Sequence, residues 1–332
     1  MNSILLIGDI GGTKTTLALI EAAGDPRRFL REATYPSARF TNLEEIVNLF
    51  LAAGGESVQA ACFGVAGPVL SGRSTITNLP WVLDEEELAE RTGIPAVLLI
   101  NDLEAIAGAV PHLFDEDMLV VQPGQPVNRG PLAVIAAGTG LGQAYALWCG
   151  ARYLAVGTEG GHVEFAPADD IQTDLLAFMR KRHDHVSVER VCSGSGLINL
   201  YEFLLASGRG DEPDWLAERL RNSADPTPVL VAAALDQVRP CILCRQTIEL
   251  FTSILAAQAG NLALSIMATG GVFIAGGMPP RLLPFLQRPE FLARFTGKGR
   301  MSGLAHRMPL AVVRDPRISL WGAGHRLRVI LA

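Results

Sequence analysis

Two short glycine turns, each set between apolar strands, constrain this chain more than any other feature. The first, in ILLIGDIGGTKTTLALI, turns at Gly8, Asp9, Gly11, Gly12 and Thr13. The second, in LAVIAAGTGLGQAYALW, turns at Gly138, Thr139, Gly140 and Gly142. Both read as strand, tight turn, strand. Glycine admits positive φ and lets the backbone approach a ligand closely, and successive N–H groups in such a turn form an anion-binding nest. One turn of this kind is an ordinary hairpin. Two in equivalent places, one in each half of the chain, point to two related lobes clamping one phosphorylated ligand.

The length of 332 residues allows two lobes with separate cores. Hydrophobic residues at 49% and charged residues at 19% place the chain among globular proteins. A net charge of −6 argues against nucleic acid or an anionic membrane as the main partner. It says little about a nucleotide bound by local N–H donors and a metal ion. The five cysteines, Cys62, Cys149, Cys192, Cys241 and Cys244, are odd in number and scattered. That fits a reducing cytoplasm rather than a disulfide framework. Cys241 and Cys244 form a CxxC in a stretch that reads as helix, with no second pair to complete a zinc site. They are expected to be buried structural thiols.

No basic segment followed by a long apolar run opens the chain, so no signal peptide is expected. Residues 250–280 carry no charge and on length alone could span a membrane. Gln258, Asn261 and the Gly270-Gly271 pair interrupt the run, and it reads as a buried helix followed by a core strand, VFIAGG.

Along the chain, the opening hairpin leads to a third extended segment near 31–35 and a helix over 43–53. ACFGVAG (61–67) and AVLLI (96–100) read as buried strands, the latter ending at Asn101-Asp102 before the helical LEAIAGAV. Continuous apolar strands alternating with helices indicate a sheet covered on both faces. A second strand–turn–strand unit spans 132–148, and a long helical region runs from about 170 to 267. Residues 208–227, rich in Gly, Asp and Pro, read as a surface excursion. The end, RISLWGAGHRLRVIL, reads as a short approach and a helix.

The motifs GDIGGTK, NLPW, INDLEAIA, GTGLG, EGGHVEFAP, SVERV followed by SGSGL, GNLAL, IAGGM and KGRMS stand here in family order. In that combination the chain resembles the bacterial ATP-dependent glucokinases of the hexokinase type, within the actin-like ATPase superfamily. The match runs from Gly8 to the C-terminal helix. Lys14 stands where the family commonly has Asn, and Ser195 where Pro is usual. The resemblance implies an α/β, two-lobed actin-like ATPase (ribonuclease-H-like) fold with a ligand cleft between the lobes. Residues 1–111 and 317–332 would form a small α/β lobe, and 112–316 a larger α+β lobe. It further implies glucose and ATP as substrates, Mg²⁺, a homodimer and a cytoplasmic location.

Phosphoryl transfer needs positioned phosphates, a metal to offset charge and a held nucleophile. By resemblance Gly8, Asp9, Ile10, Gly11, Gly12, Thr13, Gly138, Thr139, Gly140, Gly276 and Gly277 bind ATP, and Asp9 holds Mg²⁺ through water. Asp102 is the catalytic base for the sugar 6-hydroxyl, at a strand-to-helix junction of the kind that faces a crevice in open α/β sheets. Read from the residues alone, Asp102 serves equally well as an N-cap. By the same resemblance Asn101, Asp102, Glu159, His162 and Glu189 are the sugar-binding set; the residue types suit sugar hydroxyls, since carboxylates accept, Asn does both and neutral His offers one of each. Taken singly, each of the last three would be a surface acid or a structural His. His112, His183, His185, His306 and His325 receive no role. Two rivals remain: a kinase for mannose, fructose or an N-acetylated amino sugar, and a sugar-responsive regulator on the same fold. The chain lacks the Cys-rich zinc motif of the repressor/kinase sugar-kinase family and an N-terminal DNA-binding helix pair. The retained Asp102 disfavours a pure binder.

Overall fold

The computed structural model describes residues 3–76 and 79–331, so Asn78, which opens the NLPW motif, lies outside the described residues. The chain forms two compact units. The first comprises residues 1–114, 144–158 and 315–332, and the second 115–143 and 159–314. Residues 144–158, expected with the larger lobe, thus group with the first unit, and one strand changes unit between Gln143 and Ala144.

The first unit opens with strands β1 (Ile4–Ile10), β2 (Lys14–Glu21) and β3 (Phe29–Pro36), then helix α1 (Leu43–Ala52) and β4 (Val58–Val65). A small ribbon of β5 (Arg73–Thr75) and β6 (Val82–Asp84) precedes α2 (Glu85–Thr92), β7 (Val97–Asn101) and α3 (Asp102–Ala109). The main sheet has the order β3-β2-β1-β4-β7, with the β1–β2 and β2–β3 pairs antiparallel and the β1–β4 and β4–β7 pairs parallel. Its apolar strands sort onto two faces by the period-two alternation of the pleat. Leu6, Ile10, Leu17, Leu19 and Phe63 join α1 and α2 in one core. Leu5, Ile7, Ala18, Ile20 and Cys62 join α3 and the C-terminal helix in another. The expectation of a sheet covered on both faces therefore holds.

The second unit and the remaining elements follow in chain order: β8 (Met118–Gln122), β9 (Leu132–Ala137), β10 (Leu141–Trp148) and β11 (Tyr153–Thr158). Five helices come next, α4 (Asp170–Met179), α5 (Gly194–Ala206), α6 (Asp214–Arg221), α7 (Pro226–Leu235) and α8 (Ile242–Ile266). Then come β12 (Gly271–Ala275), α9 (Leu283–Leu286), α10 (Pro289–Thr296), α11 (Ser302–Ala305), β13 (Leu310–Val313) and α12 (Ile318–Leu331). The second sheet has the order β11-β10-β9-β12-β13-β8. Counted from each glycine hairpin, this repeats the order of the first sheet. The stretch 250–280 is the end of buried α8 followed by β12, and no helix among the described residues is long and apolar enough to cross a membrane. The 208–227 excursion is more ordered than its composition suggests, because it contains α6, whose Leu216 is buried in the core.

All five cysteines are free. Cys241 does not lie within a helix but caps one, its Sγ accepting from Cys244 N–H at the start of α8 (3.3 Å). Both thiols are buried, and no metal-binding group of His, Cys, Asp or Glu exists among the described residues. Helix α12 crosses α3 closely. A Cβ on Gly322 would lie 1.7 Å from the Ala105 carbonyl oxygen, so only glycine allows that approach.

Candidate active site

In the first unit the functional candidates collect at the C-terminal ends of the parallel strands. Register pairs Asp9 of β1 with Gly64 of β4, and Gly64 with Ile100 of β7, one residue before Asn101. Asp9 and the β7 terminus are thus two strand spacings apart, about 10 Å along the hydrogen-bonding direction. Gly64 keeps the intervening position open. A Cβ there would meet Ser319 Oγ at 3.1 Å and the Asp102 Cα at 3.6 Å.

The first glycine turn is shorter than its sequence suggests. Gly8 and Asp9 belong to β1, and the turn itself is Gly11, Gly12 and Thr13. Gly8 is required by packing, since a Cβ would fall 2.6 Å from Phe63 Cδ1 and 2.9 Å from Leu17 Cδ2. Gly11 N–H donates to the Lys14 carbonyl (3.0 Å). Ser37 holds the turn from outside: its Oγ donates to the Gly11 carbonyl (2.7 Å), and its N–H donates to the Thr13 carbonyl (3.1 Å). Neither Gly8, Gly11 nor Gly12 has positive φ, and at Gly8 and Gly11 it is close approach that calls for glycine.

Asp9 is partly exposed, yet the protein around it pushes its carboxyl above the usual carboxylate range by desolvation. The nearby Lys14 charge and a hydrogen bond from Ser319 Oγ to Asp9 Oδ1 (3.3 Å) oppose that shift.

The strand-to-helix junction divides two tasks between neighbours. Asn101 is the N-cap of α3, its Oδ1 accepting from the N–H groups of Leu103 (3.0 Å) and Glu104 (3.3 Å). Its Nδ2 donates to the Gly67 carbonyl (3.0 Å). Asp102 is the first residue of the helix and is not its N-cap; its Oδ1 accepts from Leu103 N–H at 2.9 Å. The alternative of Asp102 as the cap is corrected, because Asn101 already provides that function. Gly157 of β11 backs this junction, since a Cβ there would lie 2.7 Å from Asn101 Oδ1.

In the second unit, three glycine segments meet at the ends of the parallel pair β9–β12. Gly138 N–H donates to the Gly140 carbonyl (2.9 Å), closing the turn after β9, and Gly142 lies within β10 rather than in the turn. Gly276, at φ +96°, follows β12, and a Cβ there would lie 2.4 Å from the Ala137 carbonyl oxygen. Gly194 N–H donates to the Gly138 carbonyl (2.8 Å). Cβ atoms on Gly138 and Gly277 would meet nothing within 4 Å, so both backbones present open faces. The turn after β9 thus stands beside the Gly276-Gly277 turn after β12, through Ala137.

Glu189 packs on the same turn. Its Oε2 accepts from Leu141 N–H (2.9 Å), and a Cβ on Gly140 would lie 2.6 Å from that oxygen. The EGGH segment is clamped by β10, with Gln143 Nε2 donating to the Gly160 carbonyl (3.1 Å). Gly161 is obligatory, since a Cβ would fall 1.9 Å from the Leu141 carbonyl oxygen. That tight turn aims Glu159 and His162 alike: Glu159 Oε2 and His162 Nε2 are 3.8 Å apart, with side chains 57% and 59% exposed. Both are therefore available to a ligand.

His162 and Glu189 line one cavity of about 440 Å³, together with His183, His185, Ser187, Arg190, Ser195, Ile198 and Asn199. His183, His185, Ser187 and Glu189 are alternate residues. Closeness in sequence to Glu189 was the signal that could have placed the two histidines here; the segment itself is no strand, since it bends at Asp184 and His185 and Glu189 opens a 3-10 turn. Ser37 and Ser319 had no such signal.

The glucokinase family model matches residues 6–329. A glucokinase of Nostoc punctiforme is 38% identical over 335 residues, covering 97% of this chain and 98% of that protein. The crystal structure of a glucokinase from an Antarctic psychrotroph superposes with a TM-score of 0.79 at 32% identity, covering 99% of this chain and all of the other. A ROK family glucokinase from Streptomyces griseus, solved with glucose and AMPPNP, superposes with a TM-score of 0.64 over 97% of this chain and 98% of its own. At 19% identity it shares the fold alone. The expected actin-like ATPase fold is thus the fold observed, and the chain belongs to the glucokinase family.

Proposed function

We propose how this chain carries out its reaction, the transfer of the ATP γ-phosphoryl group to the 6-hydroxyl of glucose. Asp102 accepts the hydroxyl proton as O6 attacks the γ-phosphorus; the bond from phosphorus to the bridging oxygen breaks, and ADP leaves. In a loose transition state the proton moves late, so the orientation of the base matters more than its strength. The observation that carries this reading is the division of labour at α3, where Asn101 caps the helix and Asp102 is not needed for that task.

Gly8 to Thr13, Gly138 to Gly140, and Gly276-Gly277 would receive the nucleotide, the open backbone at Gly138 and Gly277 offering donors without side-chain obstruction. Bound glucose and AMPPNP in the Streptomyces griseus enzyme support both substrates by fold likeness. Mg²⁺ would enter with ATP and supply charge neutralisation. With no acidic cage among the described residues, a single carboxylate, Asp9, fits an ion that keeps most of its water. Asn101, Glu159, His162 and Glu189 would hold the remaining sugar hydroxyls. Asn101 Oδ1 and Glu189 Oε2 already accept backbone N–H groups, so both side chains are held in place before substrate arrives.

We also read a cytoplasmic homodimer, on family resemblance, with the lobes divided at 111/112 and 316/317. A coupled assay with MgATP across glucose, mannose, fructose and N-acetylglucosamine tests the substrate. Glucose should give the highest kcat/KM, and a stronger preference for another sugar would assign the chain to that sugar instead. Binding of glucose without turnover would favour the regulator.

A further inference from the structure

We propose that His185 is a positioning residue for the sugar site, acting through the backbone of His162. This rests on the reading of His162 as a sugar ligand. The segment after His162 and the segment before Glu189 run antiparallel. Val188 N–H donates to the Val163 carbonyl (3.0 Å), Phe165 N–H donates to the Val186 carbonyl (2.9 Å), and Glu164 bridges Ser187. His185 Nε2 stands 2.8 Å from the His162 carbonyl oxygen. A carbonyl only accepts, so His185 is the donor, through an Nε2–H present in one neutral tautomer and in the cation.

This bond adds a rung one residue beyond the Val188–Val163 bond, at a residue whose own N–H is taken by the Glu159 carbonyl (2.9 Å). At that point the tight Gly160-Gly161 turn directs His162, and through it the 3.8 Å pairing with Glu159. Beyond the turn the next anchors are the Gln143 bond to the Gly160 carbonyl and the Gly161 contact with Leu141, both on the side of β10. His185 anchors the same turn from a different segment, the one that leads into Glu189. It also lines the cavity shared by His162 and Glu189, so the two segments that carry those residues are tied at the cavity wall.

The test is steady-state kinetics on His185→Ala, His185→Gln and His162→Ala, with glucose and ATP varied separately. Loss of one exposed hydrogen bond should raise KM for glucose about threefold to tenfold in His185→Ala, with kcat and KM for ATP unchanged. His185→Gln places an amide N–H at similar reach and should restore most of the loss. An unchanged KM in His185→Ala overturns the proposal. So does an equal rise in the Ala and Gln variants, which would mean that the donor is not what matters. A parallel rise in both KM values, or a fall in kcat, would mark a general effect on the fold and overturn it too. If His162→Ala leaves KM for glucose unmoved, the reading of His162 itself fails. A His162→Ala effect without a His185→Ala effect defeats only the positioning role.

Discussion

Ser319 Oγ donates a hydrogen bond to Asp9 Oδ1 across 310 positions of sequence, at 3.3 Å, from the first turn of the C-terminal helix to the end of the first strand. The bond opposes the desolvation that raises the Asp9 pKa. Ser319→Ala should therefore push the Asp9 carboxyl still higher. A raised carboxyl loses its charge at a higher pH, so the acid limb of kcat/KM for ATP should move toward neutrality. The side-chain bond is long, so the acid limb should move in that direction without any loss of the maximal rate. A superimposable pH profile would separate Asp9 from nucleotide handling.

Asp102→Asn keeps the shape of the side chain and, with Asn101 still in place, the cap of α3. Folding stability should stay close to that of the unaltered chain while kcat falls about 10²–10⁴-fold, the usual contribution of a general base. Glucose binding, measured by titration calorimetry, should survive. A variant that keeps a tenth of the activity, or that loses helix stability instead, would show Asp102 to be structural.

Gly138 and Gly161 make opposite predictions. A Cβ on Gly138 meets nothing within 4 Å, so Gly138→Ala should leave the melting temperature unchanged and raise KM for ATP if phosphate rests on that turn. On Gly161 a Cβ strikes the Leu141 carbonyl at 1.9 Å, and backbone cannot move aside cheaply. Overpacking of this kind costs about 1–3 kcal/mol, so Gly161→Ala should melt lower and bind glucose more weakly. Thermal melts beside kinetics decide both; a stability loss in Gly138→Ala would deny that its face is open.

The sequence made legible what depends on local pattern. Paired glycine turns foretold two related strand–turn–strand units, and the apolar runs at Ala61 and Ala96 foretold a sheet covered on both faces. Contacts between distant segments were not legible. Nothing near Ser319 or Ser37 marks either as a partner of the first hairpin, because each acts through one hydroxyl delivered by the fold. Gly8 was misread as a turn residue, since glycine in a strand that must admit Phe63 looks the same in sequence as glycine in a loop. His183 and His185 reach the cavity of Glu189 through bends at Asp184 and His185 that no local pattern marks.

His112 and His325 stack face to face, ring centroids 3.9 Å apart and planes 11° from parallel, joining the turn after α3 to helix α12. Burial pushes His325 down to about 4, helped by His112, Arg328 and Arg27 and opposed by Asp25; burial also lowers His112. The native state therefore stays unprotonated at His325 below the unfolded pKa of about 6.5, where the unfolded chain takes up a proton. Stability should fall as pH drops from about 6.5 toward 4, and level off for this group once the native ring protonates too. Both rings are partly exposed, so solvent screening keeps the effect below the full shift. His325→Gln removes the titration, and its urea-unfolding free energy should fall less steeply across that window, by up to about one proton in the linkage slope. Above pH 7 the variant should be the less stable of the two, having lost the stack. Parallel pH profiles for the two proteins would show that the stack carries no proton linkage.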